Sequence, residues 1–243
     1  MLEYWFYLCL PIVAFLYAAV GHGGASGYLA LLSLFSFAAE DVKTIALTLN
    51  LFVAGLSFFH YYRAGHFDKK LFLVLASASI PMAFLGGRLQ LETHFYFYIL
   101  GVFLLLAGGR FLFFSKNSSE ANIKEFSMGI ALLIGGAIGF ISGLLGIGGG
   151  IILSPLILLL AWRNAKTTAG ISALFILVNS AAALLGMYSE GLQYPSTMPY
   201  ILLLVIAGGF SGAYFGANRW SNVHIKKLLA AVLILASLKI FIA

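Results

Sequence analysis

The sequence predicts an all-α polytopic membrane protein made of two inverted repeats, each a glycine-broken hairpin followed by three transmembrane helices. Three observations predict it. Hydrophobic residues fill 62% of the 243 positions and charged residues only 9%, against about 25% charged in soluble domains. A glycine-rich break interrupts a long apolar run twice, as Gly21-His22-Gly23-Gly24-Ala25-Ser26-Gly27 and as Gly146-Ile147-Gly148-Gly149-Gly150. The basic residues sort to one side of a bilayer only if each broken run returns to the side on which it began.

Apolar runs cover roughly 4–37, 42–62, 71–87, 95–114, 126–162, 167–188, 198–217 and 223–243. Six are near the ~20 residues that cross a bilayer as a helix. Runs 4–37 and 126–162 are too long for one helix, and each holds a break. Their second arms, Tyr28 to Phe37 and Ile151 to Trp162, are short, which favours partial penetration. Lys116 to Glu125 is the sustained polar stretch. It divides an N-terminal repeat, 1–116, from a C-terminal repeat, 126–243, with 117–125 as linker. All eight carboxylates (Glu3, Glu40, Asp41, Asp68, Glu92, Glu120, Glu125, Glu190) lie at or between the ends of the apolar runs. Cys9 is the single cysteine, which excludes an internal disulfide and a metal site built on several cysteines. Met1 to Pro11 carries only Glu3 as a charge, so no cleaved signal peptide is expected.

The repeat is visible by alignment of the chain with itself. Gly21, Gly23 and Gly24 align with Gly146, Gly148 and Gly149 at an offset of 125. Lys43-Thr44, Ala46 and Phe52 align with Lys166-Thr167, Ala169 and Phe175 at an offset of 123. Gly86 and His94 align with Gly216 and His224 at an offset of 130.

Charge selects the topology. Were each long run to cross once, the 14 Lys and Arg would divide evenly between the two sides. With each run as a hairpin, Arg63, Lys69, Lys70, Arg110, Lys116, Lys124, Arg163, Lys166, Arg219, Lys226 and Lys227 share one side, and Lys43, Arg88 and Lys239 take the other. The second arrangement obeys the positive-inside rule. It places both termini outside the cytoplasm, most simply in a bacterial inner (plasma) membrane. An odd number of effective crossings per half inverts the second half, and inverted repeats with paired broken helices place a site near the midplane.

The break itself has chemistry. Unpaired backbone groups in hydrocarbon cost several kcal/mol each, so a break survives only inside protein or beside a wet cavity. Amides at the start of the following half-helix, with the positive end of its dipole, suit an anion. The bland alternative is close helix packing by small residues. The expected cradle is the amides of Gly23, Gly24, Gly148, Gly149 and Gly150, with His22, Ser26, Asn50 and Asn179 completing the shell. Thr48, Ser172 and Ser180 are further neutral donors. His22 is the proton-coupling candidate, since its ordinary pKa of about 6.5 lies near neutrality; alternatively it bonds a carbonyl freed by the break. Lys43 and Lys166 begin equivalent helices on opposite sides, where each can attract an anion to a pathway mouth or snorkel to headgroups. Asn50 and Asn179 can equally bond one helix to another.

The stretch Ile141-Ser142-Gly143-Leu144-Leu145-Gly146-Ile147-Gly148-Gly149-Gly150, with Pro155 and then Lys166-Thr167-Thr168-Ala169, resembles the TauE/SafE family of sulfite exporters. The resemblance implies export or uptake of sulfite, sulfonates, sulfoacetate or related sulfur-containing anions without ATP hydrolysis. The first cassette departs from the pattern. His22, Ala25 and Ser26 interrupt its glycines, and Ala30 stands where Pro155 stands in the second copy.

Three other readings compete. Gly24-Ala25-Ser26-Gly27 resembles the serine motif of rhomboid intramembrane proteases, but a serine nucleophile needs a base within hydrogen-bond reach, and the later Ala-His pair of rhomboids is absent. A phosphate loop fails because no Gly-Lys-Ser/Thr follows the glycines. A channel or structural subunit remains a third class. The expectation is therefore a secondary transporter or facilitator, not an enzyme, moving a small sulfur-containing anion by alternating access. No cofactor, metal or nucleic acid is expected; the bilayer is, and protons as coupling ion and a homo-oligomer are compatible with it.

Overall fold

The structure, a computed structural model, describes residues 2–19, 21–35, 37, 39–113, 123–188, 191–192, 194–218 and, towards the C-terminus, 233–234, 237–238 and 240–242. The described residues form α1 (Leu2–Ala19), α2 (Ala25–Leu34), α3 (Ala39–Arg63), α4 (Lys69–Arg88), α5 (Thr93–Phe113), α6 (Met128–Leu145), α7 (Gly150–Leu159), α8 (Ala165–Met187) and α9 (Met198–Asn218). Those from 233 to 242 are helical as well, and no strand occurs among the described residues. Much of the expected last run, 223–243, and most of the linker 117–125 lie outside the described residues.

The protein is an all-helical integral membrane protein. Helices α3, α4, α6, α8 and α9 are each long and apolar enough to cross a bilayer. Helices α2 and α7 have 10 residues each. At 1.5 Å per residue they reach about 15 Å, half of a ~30 Å hydrocarbon core. Both long runs are thus a long helix, a break and a half-length helix.

The two breaks have the same backbone design. Gly21 (φ 76°) closes α1: its N–H donates to Ala18 O and the N–H of His22 donates to Tyr17 O. Gly146 (φ 78°) closes α6, and the N–H of Ile147 donates to Ser142 O. Such left-handed closures satisfy carbonyls that a helix end leaves free. Three residues after these closures, Gly24 (φ 98°) and Gly149 (φ 81°) open the half-helices. A side chain at any of these four positions would be strained by the left-handed backbone.

Four-residue glycine ladders set the long helices against each other. Gly208, Gly212 and Gly216 of α9 lie on the backbone of Pro11, Phe15 and Ala19 of α1. Gly135, Gly139 and Gly143 of α6 lie on the backbone of Leu75, Ser79 and Ala83 of α4. At each of these glycines an added Cβ would run into the partner's carbonyl oxygen. Residue numbers rise together along both interfaces, so both pairs are parallel. Without a hydrophobic drive in lipid, this close approach of small residues is what holds such helices.

Helices α3 and α8 cross the centre in the opposite sense. Asn50 meets Ser180, Gly55 meets Leu177 and Tyr61 meets Gly170, so α3 and α8 are antiparallel. One buried cluster gathers α1, α2, α3, α5 and α9, and a second gathers α4, α6, α7 and α8.

The ladder can be tested by its sterics. Gly139→Val forces a branched side chain onto Ser79 O, and overpacking of this kind costs about 1–3 kcal/mol or more; thermal unfolding in detergent is expected to show a clear drop. Nothing lies within 4 Å of a Cβ at Gly129. Gly129→Ala is therefore expected to be neutral or to stabilise by up to ~1 kcal/mol through helix propensity.

Candidate functional site

The two breaks enter from opposite ends of the α3·α8 pair. Gly21 lies on Ala169 and Tyr61, and Gly146 lies on Lys43. From there each chain turns inward, and both arrive at the same two side chains. A Cβ on Gly23 would lie 2.7 Å from Asn50 Oδ1 and 2.8 Å from Ile176 Cγ2. A Cβ on Gly148 would lie 2.6 Å from Asn50 Nδ2 and 2.8 Å from the same Cγ2. Only a hydrogen fits at either position, so glycine is required by space at Gly23 and by space and φ (71°) at Gly148.

Asn50 and Ile176 sit midway along α3 and α8 and are buried. Asn50 Nδ2 donates to Ser180 Oγ at 3.3 Å, and its Oδ1 has no hydrogen-bond partner. Leaving a buried acceptor unpaired costs about 1–3 kcal/mol, so this carbonyl is the kind of group expected at a functional junction. Either orientation of the amide fits, because Ser180 can accept from Nδ2 or donate to an oxygen placed there.

Both half-helices begin at this level. Neither Gly24 nor Gly149 supplies a side-chain cap, and the first amides of a helix have no intrahelical acceptor. Free N–H groups backed by the positive helix end form a ready anion site.

The remaining sequence-selected residues are distributed around the junction. Gly150 packs on Ile176, Gly149 on Ile138 and Phe175, and Gly24 on the ring of Tyr28. His22 is buried between Gly21 and Gly23. Ser26 donates to Tyr17 OH at 2.9 Å, which ties its hydroxyl to α1. Asn179 donates to Phe175 O in its own helix, with Oδ1 buried and unpartnered. Among these, Gly23, Gly148, Gly150 and Asn50 are brought together.

The two lysines differ. Lys43 is buried, with its stem on Gly146 and Nζ 3.4 Å from Gly87 O near the C-terminus of α4. Lys166 is exposed. Gly146 lies on Lys43 as Gly21 lies on Ala169, so the contacts pair Lys43 with Ala169 rather than with Lys166. In that register, offset by 126, Asn50 pairs with Ile176 and Ala54 with Ser180. Gly23 correspondingly meets Ala54 where Gly148 meets Ser180.

Ile176 was not legible as a site residue, being one apolar residue in an apolar helix. Tyr17 and Tyr96 carried a usable signal, because a buried phenol in a membrane must find a partner. Tyr96 OH donates to Leu145 O at 3.1 Å, at the end of α6 where the second break begins.

A sequence-family model described as "Sulfite exporter TauE/SafE" matches residues 6–240. The chain belongs to the TauE/SafE family. This TauE/SafE chain is 34% identical over 232 residues to "Probable membrane transporter protein y4hK" of Sinorhizobium fredii (strain NBRC 101917 / NGR234), covering 94% of each chain. It is 24% identical over 236 residues to "Probable membrane transporter protein YdhB" of Bacillus subtilis (strain 168), again covering 94% of each. No solved structure matches it.

At one end of this TauE/SafE fold, the α3–α4 and α7–α8 connections are pinned together. Asp68 caps α4 by accepting from Leu71 N at 3.0 Å, and it pairs with Arg163, which also donates to Trp162 O. Arg163 and Lys70 each stand 5.7 Å from the Phe126 ring centre. Burial pushes the Asp68 carboxyl up, but the Leu71 N–H and the Arg163 guanidinium outweigh it and hold the group below its usual range. Burial, and then the Lys166 ammonium, pull His66 below the ordinary histidine value.

For a depressed carboxyl, the stabilisation is complete above the unfolded value of about 3.9 and fades as pH falls through the lower folded value. Asp68→Asn is therefore expected to be less stable than wild type at pH 7. The difference in melting temperature is expected to close as the pH is taken below about 4.

Proposed function

We propose that the chain is a secondary transporter or facilitator for a small sulfur-containing anion, sulfite or an organosulfonate. The observation that carries this reading is the convergence of both glycine breaks on Asn50 and Ile176. Two uncapped half-helix starts and a broken helix from each half at mid-depth are the arrangement by which transporters hold an anionic group. The name of the matching family and the printed names of the two relatives agree with it. In this reading the amides of Gly23, Gly24, Gly148, Gly149 and Gly150 hold the anion. His22, Ser26, Asn50 and Asn179 complete the shell, and Lys43 and Lys166 bias the two mouths towards anions.

The repeats, 1–116 and 126–243 about the linker 117–125, are inverted. The antiparallel run of α3 and α8 supports this, as does the way α1 packs on α9 while α6 packs on α4. Arg63, Lys69, Lys70, Lys124, Arg163 and Lys166 gather at the Asp68 end and Lys43 and Arg88 at the other, so the Asp68 end faces the cytoplasm of a bacterial inner membrane and both termini face away. Alternating access opens the junction to one side at a time. Because the glycine ladders couple α1 to α9 and α4 to α6, each rocking body combines helices from both repeats. Protons couple through His22, the titratable side chain inside the first break. The protease alternative is disfavoured by the hydroxyl of Ser26, which donates to Tyr17.

The test is counterflow by reconstituted protein against sulfite, thiosulfate, sulfonates and carboxylates. Sulfur anions are expected to exchange and Asn50→Leu to lose at least ~10-fold in rate, a small share of what unpaired polar groups cost a site, while Ser26→Ala retains most activity. Absence of exchange for every sulfur anion rejects the reading. His22→Gln is expected to flatten the pH profile of uptake; an unchanged profile makes His22 structural.

A further inference from the structure

The hydroxyl that the sequence singles out in the first break, that of Ser26, donates to Tyr17 OH. A second hydroxyl at the same break has no such use. Tyr28 is fully buried, and its Oη has no hydrogen-bond partner among the described residues. Side chains on a helix lean back towards its N-terminus. From the first turn of α2 the ring of Tyr28 therefore reaches Gly24, four residues earlier, where a Cβ would lie 2.7 Å from Tyr28 Oη. The phenol thus ends at the opening of the half-helix. The N–H of Tyr28 donates to Gly24 O at 2.9 Å, so the amides of Ala25, Ser26 and Gly27 before it have no intrahelical acceptor. Gly23, which meets Asn50, immediately precedes Gly24.

The second break is built differently. At the 125 offset Leu153 stands where Tyr28 stands, and Gly149 faces Ile138, Phe175 and Ser142. The Oγ of Ser142 is also buried without a partner, but Ser142 approaches Gly149 through its Cβ. A buried hydroxyl left without a partner costs stability. A hydroxyl beside free amides at the positive end of a helix gains an acceptor once an anion arrives, and a hydrogen bond to a charged oxygen is among the stronger ones. We propose that Tyr28 is a substrate-binding residue, its phenol O–H donating to an oxygen of the bound anion next to the first amides of α2. This rests on the transport reading above and adds a donor to that same site.

The experiment compares wild type with Tyr28→Phe, which removes the hydroxyl and keeps the ring. The probe is whichever of sulfite, thiosulfate and ethanesulfonate the wild type exchanges fastest. Counterflow gives the half-saturating concentration, and melting in detergent is followed with and without the probe. The variant is expected to need about 10-fold more anion for half-saturation, the scale of one hydrogen bond to a charged group. Without anion it is expected to melt no lower than wild type, because the lost hydroxyl had no partner to leave behind. The rise in melting temperature that the anion gives wild type is expected to shrink. An unchanged half-saturating concentration overturns the inference. So does a variant that melts lower than wild type without anion, since the hydroxyl would then be serving the fold. Either result leaves the transport reading standing; only a wild type that moves no sulfur anion removes both.

Discussion

A backbone amide in a bilayer has no water to fall back on, and the architecture follows from how this chain meets that constraint at two interruptions. Each break is shut on its outer side by a left-handed glycine whose neighbours bond back to the helix they leave. Each is shut laterally by helices brought to backbone contact through glycine ladders. Tyr96 takes up the Leu145 carbonyl, and the Lys43 ammonium takes up that of Gly87. On the inner side the first amides of two half-helices have no intrahelical acceptor, and among the described residues the buried oxygens of Asn50 and Asn179 have no hydrogen-bond partner.

Much of the helical plan could be read from composition and periodicity. The glycine breaks announced themselves because five of their glycines adopt backbone angles that other residues rarely adopt. The short second arms were visible in the lengths of the apolar runs. The finer register was not. The Lys-Thr pairs gave an offset of 123, yet the contacts around Gly21 and Gly146 follow 126. The lysines lie near helix starts, where loop length shifts a residue by most of a turn without disturbing the packed interior. Space at the centre, by contrast, admits one register, since Gly23 and Gly148 must both clear Asn50 and Ile176.

The same distinction explains which site residues were legible. Asn50 and His22 stand out because polar groups are rare in such a chain. Ser26 stood out for the same reason, and its partner, Tyr17, is what assigns it to the α1·α2 contact. Ile176 has no compositional signature. Its importance lies wholly in touching both breaks, a property of three-dimensional arrangement that no one-dimensional pattern encodes.

The α1·α9 ladder also bears on how the protein is made. Pro11 and Gly208 touch, yet roughly 200 residues of synthesis separate them. At about 5–20 residues per second, α1 waits some 10–40 s for the glycines that cover it. During that interval the first hairpin, with its unpaired amides, stands in the membrane without its partner. Maturation of the fold is therefore tied to completion of the chain, and a polypeptide arrested before α9 would present the biogenesis machinery with an open seam.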